Sequence, residues 1–160
     1  MTVLQRVFIA LGSNLGDRRK NIETATEKLK CSPEINLIKV SGLLESDPVG
    51  GPPQGKFLDG AVEIRTTLSP RELLTLLKQI EKEVGRISSP VRWDPREIDL
   101  DILLFGDLKI DEQDLKIPHP LLHLRRFMLE PLCEIAPEVI HPVLEKSIVE
   151  IFSELGADRK

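Results

Sequence analysis

The chain contains no tyrosine, one tryptophan and five phenylalanines, so aromatic residues make up 4% of its 160 positions. A protein that holds single-stranded nucleic acid by stacking needs more ring faces than that. Basic charge is not in excess either. There are 22 Lys and Arg against 26 Asp and Glu, a net charge of -4, which argues against a general nucleic-acid or membrane-surface binder. The two cysteines, Cys31 and Cys133, lie far apart and neither sits in a CxxC. That excludes a disulfide scaffold and leaves too few thiolates for a zinc site. They read as incidental or buried thiols in a reducing compartment. No apolar run approaches the roughly 20 residues that cross a bilayer, and Met1-Thr2-Val3-Leu4-Gln5-Arg6 lacks a signal-peptide layout. A cytoplasmic location is expected. There is also no GxxxxGK[ST], so this is not a P-loop protein.

What is present is the composition of an ordinary globular chain: 41% hydrophobic and 30% charged. The length suits one domain, expected to span residues 1–160. A chain of this size buries about two-thirds of its unfolded surface and needs no staple. Residues 7–11 are a short apolar run closed by Gly12, the pattern of a buried strand. Gly12-Ser13-Asn14-Leu15-Gly16 reads as a turn rather than a phosphate cradle, with Asp17 able to cap the helix that follows to about residue 30. Residues 35–44 and 57–67 alternate as strands. The segment 47–56, with three prolines and three glycines, is a loop. Ser69-Pro70-Arg71-Glu72 is a capping-box start for a second helix, whose stripe is Leu73, Leu76, Leu77, Ile80 and Val84 and whose stop is Gly85. A second loop covers 86–96, a strand 98–105 and a small hairpin 108–117. Helices are expected over about 126–135 and 147–155. The order strand, helix, strand, strand, helix, strand is the split βαβ pattern of an α+β, ferredoxin-like sandwich: a mostly antiparallel sheet with two helices packed on one face.

The chemistry concentrates in Arg92-Trp93-Asp94-Pro95-Arg96-Glu97-Ile98-Asp99-Leu100-Asp101-Ile102. Alternate residues of a strand share a face, so Asp99 and Asp101 present two carboxylates side by side while Ile98, Leu100 and Ile102 turn to the core. Adjacent carboxylates repel and call for a cation between them. An oxygen-only pair suits Mg²⁺, which completes its shell with water and phosphate. Arg86, Arg92 and Arg96 precede the pair and Arg125-Arg126 follow later. Guanidinium forks match phosphate oxygens, so the set is equipped to hold a metal-polyphosphate and stabilise phosphoryl transfer. His119 stands between Pro118 and Pro120, which restrict its backbone, and can donate to a phosphate. His123 and His141 have no such context and read as structural or surface residues.

These blocks resemble the 6-hydroxymethyl-7,8-dihydropterin pyrophosphokinases of folate biosynthesis. The similarity runs from Val7 to about Leu155. It rests on Ala10-Leu11-Gly12-Ser13-Asn14-Leu15-Gly16, on Arg92-Trp93-Asp94-Pro95-Arg96 leading into Ile98-Asp99-Leu100-Asp101-Ile102, and on Pro118-His119 followed by Arg125-Arg126-Phe127-Met128-Leu129. The resemblance implies transfer of the terminal pyrophosphoryl group of ATP to the pterin hydroxymethyl oxygen, with AMP leaving. It implies two Mg²⁺ ions on Asp99 and Asp101, and catalytic arginines at Arg86 and Arg96. ATP would also meet Glu81, Arg92, Ile102, Leu115, His119 and Arg125. The pterin would lie between Trp93 and Phe127 with Phe57 at its edge, read by the stretch Ser46, Asp47, Pro48 and Val49 and by Asp59. The partners implied are these two small substrates, with no nucleic acid and no membrane, and the enzyme is expected to be a monomer. The loops 47–56 and 86–96 would close over both substrates and exclude water.

Some positions depart from the family pattern. Asp59 stands where Asn is common; an ionised Asp accepts hydrogen bonds but donates none. Leu44 replaces a usual Tyr, Ser46 a usual Thr, Asp94 a frequent Gly and Ser88 a frequent basic residue. Two other readings compete. A ligand-binding regulatory module would not need paired aspartates beside arginines. A different Mg²⁺-dependent nucleotidyl or phosphoryl transferase would not need the aromatic slot of Trp93 and Phe127.

Overall fold

A computed structural model describes residues 3–47, 55–85 and 97–158. Four long strands and one short strand form the main sheet: β1 (Gln5–Ser13), β2 (Ile35–Val40), β3 (Leu44–Ser46), β4 (Phe57–Thr66) and β5 (Asp99–Phe105). The order across the sheet is β2-β4-β1-β5, with β3 also paired to β4. Every pairing is antiparallel. This is the expected α+β, ferredoxin-like topology.

The helices begin and end where the local chemistry directs. In α1 (Arg18–Cys31), Asp17 is the N-cap and accepts from the Lys20 N–H. Ile22, Ala25 and Leu29 form its buried face. Just before it, Gly16 takes φ 73°. The turn is shorter than expected: Gly12 and Ser13 continue β1, held by their pairing with Asp59 and Leu58, and the chain bends only at 15–17. In α2 (Pro70–Val84) both halves of the Ser69/Glu72 capping box are made, and Gly85 closes the helix at φ 119°. The region 126–135 is helical as expected, α3 (Arg126–Ile135), and α4 runs Ile148–Asp158.

One expected strand is split. Residues 35–44 do not form a continuous element, because the edge is interrupted at Ser41-Gly42-Leu43. There the Ser41 backbone N–H donates to the Ala61 carbonyl and the Ser41 hydroxyl accepts from the Ala61 N–H. One side chain thus takes the place of a ladder partner, and pairing resumes as β3. Gly60 lies opposite, where a Cβ would meet Leu43 Cδ2 at 2.7 Å and make that side chain shift.

The sheet has two faces and both are covered. Val7, Ile9, Leu11, Val62, Ile64, Leu100 and Ile102 pack beneath α1 and α2. Phe8, Ala61, Leu103 and Leu104 pack beneath Met128, Leu129 and Leu132 of α3 and Ile148 and Ile151 of α4. The split βαβ pattern accounts for the first pair of helices; the second pair forms a third layer. Leu103 and Leu104 both enter the second core because the register of β1 and β5 shifts between Phe8 and Ile9. A small separate hairpin, β6 (Ile110–Glu112) and β7 (Leu115–Ile117), stands beside the open edge of β5.

Candidate active site

The site grows from one corner of the second face, where β1 carries its smallest residues. Gly12 pairs with Asp59 on one side and Asp99 on the other. Ala10 pairs in the same way with Ala61 and Asp101. Asp59, Asp99 and Asp101 therefore rise around a floor of glycine and alanine. A Cβ at Gly12 would stand 3.1 Å from Asp59 Oδ1 and 3.5 Å from the Phe57 ring, so the floor is already filled to its limit at that point.

The three carboxylates differ in environment. Asp99 and Asp101 are half-buried with Leu100 buried between them, which is the alternation read from the sequence. Asp59 is 5% exposed. Its Oδ2 accepts a hydrogen bond from the Ser46 hydroxyl. Burial pushes the Asp59 carboxyl up to about 7; the Ser46 hydrogen bond opposes that rise and the Asp99 charge adds to it. On the same face of β4, Glu63 has a different lot. It is buried but ion-paired, with Arg6 Nε at 3.0 Å and an Arg65 nitrogen at 3.7 Å, and is a structural acid.

Two clefts open from this corner. The first, about 490 Å³, runs along the outer edge of β5 between α2 and the hairpin. Its lining includes Asp99, Asp101, Glu81, Ile102, Leu115, His119 and Arg125, so seven expected site residues meet in one depression. Glu81 is buried, and its Oε2 accepts from the Leu100 N–H at 2.8 Å, on the backbone between the two aspartates. His119 is anchored by its N–H to the Leu103 carbonyl at 2.9 Å, and its Nδ1 accepts from the Leu121 N–H at 3.1 Å. That fixes the neutral ring with its proton on Nε2. Burial lowers His119 to about 4, the Arg125 charge pushes the same way and Asp99 opposes both. At neutral pH His119 is an uncharged donor.

The second cleft, about 770 Å³, is bounded by Leu44, Ser46, Asp47, Leu121, Arg125 and Phe127 among others. It brings together three of the residues expected against the pterin, Ser46, Asp47 and Phe127. Arg125 lines both clefts and sits over the Phe127 ring, 5.5 Å from its centroid. Phe57 is half-buried at the Gly12 floor. The expected positions Arg86, Arg92, Trp93, Arg96, Pro48 and Val49 lie outside the described residues, as do most of the two loops expected to close. Leu74 and Lys78 also line the first cleft, unremarked in the sequence reading. The signal was there: 74, 78 and 81 are spaced to share one face of a helix, adjoining the apolar stripe.

The family model for 7,8-dihydro-6-hydroxymethylpterin-pyrophosphokinase matches residues 8–137. The chain belongs to the 7,8-dihydro-6-hydroxymethylpterin-pyrophosphokinase family. Among curated relatives, the 2-amino-4-hydroxy-6-hydroxymethyldihydropteridine pyrophosphokinase of Bacillus subtilis is 48% identical over 132 residues, covering 82% of this chain and 78% of its own length. The protein of the same name from Aquifex aeolicus is 47% identical over 144 residues, 90% of this chain and 88% of the relative. A solved Plasmodium falciparum HPPK-DHPS with pteroate superposes with a TM-score of 0.77 over 96% of this chain. The chain spans 45% of that longer protein, and at 16% identity the likeness concerns the fold. The pyrophosphokinase match covers β1 through α3 and thus every element that lines the two clefts.

Proposed function

We propose that this chain transfers the terminal pyrophosphoryl group of ATP to the hydroxymethyl oxygen of 6-hydroxymethyl-7,8-dihydropterin, releasing AMP, as a step of folate biosynthesis. The observation that carries this reading is the junction of the two clefts. A polar depression with two carboxylates and a cleft bearing Phe127 meet at Arg125, so a polyphosphate and a flat acceptor can approach the same point.

The residues divide the work by chemistry. Leu74, Ile102 and Leu115 enclose the nucleotide with apolar surface. His119 offers its Nε2–H to a phosphate oxygen without adding a charge, and Arg125 offers a guanidinium. Arg86, Arg92 and Arg96 complete the charge on the polyphosphate, supplied by a loop with three Arg against one Asp. In the second cleft Phe127 offers a ring face to the pterin; the family resemblance gives Trp93 the other face and Phe57 the edge. Ser46, Asp47, Pro48, Val49 and Asp59 read the polar rim of the heterocycle. A rigid ring held by stacking and a few hydrogen bonds loses little freedom on binding.

The donor set fits Mg²⁺. Asp99 and Asp101 are hard oxygen ligands on one strand face, over residues too small to cover them. Among the described residues no group of three or more His, Cys, Asp or Glu stands together as a metal cage. Two carboxylates suit an ion that takes the rest of its shell from phosphate and water. Asp99 and Asp101 would hold two such ions, which when bound supply charge neutralisation and an acidified acceptor hydroxyl. No helix among the described residues is long and apolar enough to cross a membrane. As part of the same proposal, the enzyme acts on these two small molecules and works in the cytoplasm as a monomer.

Incubation with ATP, Mg²⁺ and the hydroxymethyldihydropterin, followed by nucleotide separation, tests the reading. AMP should accumulate only when the pterin is present. ADP as the product would point to the competing phosphoryl transferase, and no turnover with tight ligand binding to the regulatory module. A second test addresses the floor. Gly12→Ala places a methyl group against Asp59 Oδ1 and the Phe57 ring. Activity should fall by about 10²-fold through displacement of the reacting groups, with the fold retained by circular dichroism. Activity within a factor of three of the parent would mean that substrates do not reach that floor.

A further inference from the structure

The hairpin β6–β7 forms one wall of the first cleft, with Gln113, Asp114, Leu115 and Lys116 in the lining. Its base and its tip are held by different means. At the base, where Ile110 pairs with Ile117, Ile117 is in the core, and two residues on the His119 N–H donates to the Leu103 carbonyl of β5; beside the turn only Leu115, the partner of Glu112, reaches the core. The tip is exposed from Asp111 to Asp114. The hairpin shares no ladder with the main sheet, and a two-stranded hairpin is marginal by itself.

Arg71, in the first turn of α2, reaches the tip with both ends of its fork. One terminal nitrogen donates to Asp114 Oδ2 at 2.8 Å, and the other to a Glu112 oxygen. The two carboxylates flank the turn at Gln113. Arg71 also shares a helix face with Leu74 and Lys78, by the spacing 71, 74, 78. Those two residues line the opposite wall of the same cleft. We propose that Arg71 is a positioning residue for the nucleotide. Its paired ion bridges join the two walls across the end of the cleft and hold Leu115 and Lys116 at a fixed distance from α2. This rests on the reading of the first cleft as the ATP site.

A single exposed ion pair shifts an equilibrium by at most about fivefold. Here one planar fork engages two carboxylates on either side of a turn, so both pairs are lost together. A wall left loose must be ordered when the nucleotide binds, and that cost appears in affinity. The reacting groups stand elsewhere, on β5, so turnover at saturation is not expected to change.

The test is Arg71→Met, which keeps most of the stem and removes the fork, with Arg71→Lys as the conservative variant. Glu112→Gln, outside the cleft lining, removes one bridge only. KM for ATP, KM for the pterin and kcat are measured, together with the Kd of the Mg²⁺ complex of a non-hydrolysable ATP analogue. Amide exchange over residues 111–116 reports on the tip. Arg71→Met should raise the ATP KM and the analogue Kd by about 3–10-fold, with kcat and pterin KM within twofold. Its tip amides should exchange faster. Arg71→Lys should recover most of the affinity and Glu112→Gln should fall between. A fall in kcat, or unchanged analogue binding by folded Arg71→Met while the parent binds well, overturns the proposal alone. A parent protein that binds no ATP analogue overturns the functional reading and this proposal with it.

Discussion

Asp99→Asn and Asp101→Asn should each lower kcat by about 10²–10³-fold, the range lost when a charge-stabilising group is removed from a transfer site. Neither change should unfold the protein. Both side chains are half-buried and emerge beside Gly12 and Ala10 rather than inside either core, and the amide keeps the shape of the acid. The hydrophobic side of β5 supplies the strand's stability: Leu100 and Ile102 stay in the first core and Leu103 and Leu104 in the second. AMP formation under saturating ATP and pterin measures the loss, and thermal unfolding measures the fold. The paired position matters as well as the charge. A double variant should lose little more than either single one, because two ligands of one site fail as a unit. Activity within tenfold of the parent for either variant would remove the carboxylate pair from the mechanism.

The aspartate pair was legible because a strand has period two and needs no tertiary information. The helix starts at Asp17 and Ser69 were legible for a similar reason: capping is local. What lay beyond the sequence depended on partners far along the chain. The break between β2 and β3 follows from Ser41 satisfying Ala61, twenty residues away. No local rule marks that serine as different from others. Glu63 and Asp59 look alike in the sequence, two acids on alternating positions of one strand. Their fates part because Arg6 reaches Glu63 from the neighbouring strand, while Asp59 faces Gly12 and a serine. Likewise Leu74 and Lys78 take their place in the cleft only because the hairpin stands opposite them. The resemblance carried site roles that spacing alone could not assign, and Trp93 and the loop arginines remain roles of that kind.

Asp59→Asn should stabilise the protein at alkaline pH and remove a pH dependence from pterin binding. Burial pushes the folded carboxyl up to about 7, well above the ordinary aspartate value of about 4 that the unfolded chain keeps. Below pH 4 both folded and unfolded chains carry the proton, and above 7 neither does. Between these limits the folded chain binds a proton that the unfolded chain has released, so the parent loses stability as pH rises through the window. At about 1.4 kcal/mol per pH unit the whole span is worth roughly 4 kcal/mol. Asparagine has the same shape and no charge, and its amide oxygen can still accept from the Ser46 hydroxyl. At pH 8 the variant should unfold several degrees higher than the parent, since each kcal/mol moves a midpoint by about 2–4 °C at this chain length. The difference should shrink steadily and vanish near pH 4. The same titration reaches the substrate. A protonated Asp59 can donate as well as accept, as an amide can; the ionised form only accepts. The parent's pterin KM should therefore rise above pH 7, by about tenfold for one lost donor to a buried carbonyl, while that of Asp59→Asn stays flat. Equal midpoints for parent and variant at pH 8 would mean that the buried charge is compensated. A parent KM that is level from pH 6 to 9 would mean that Asp59 does not read the pterin.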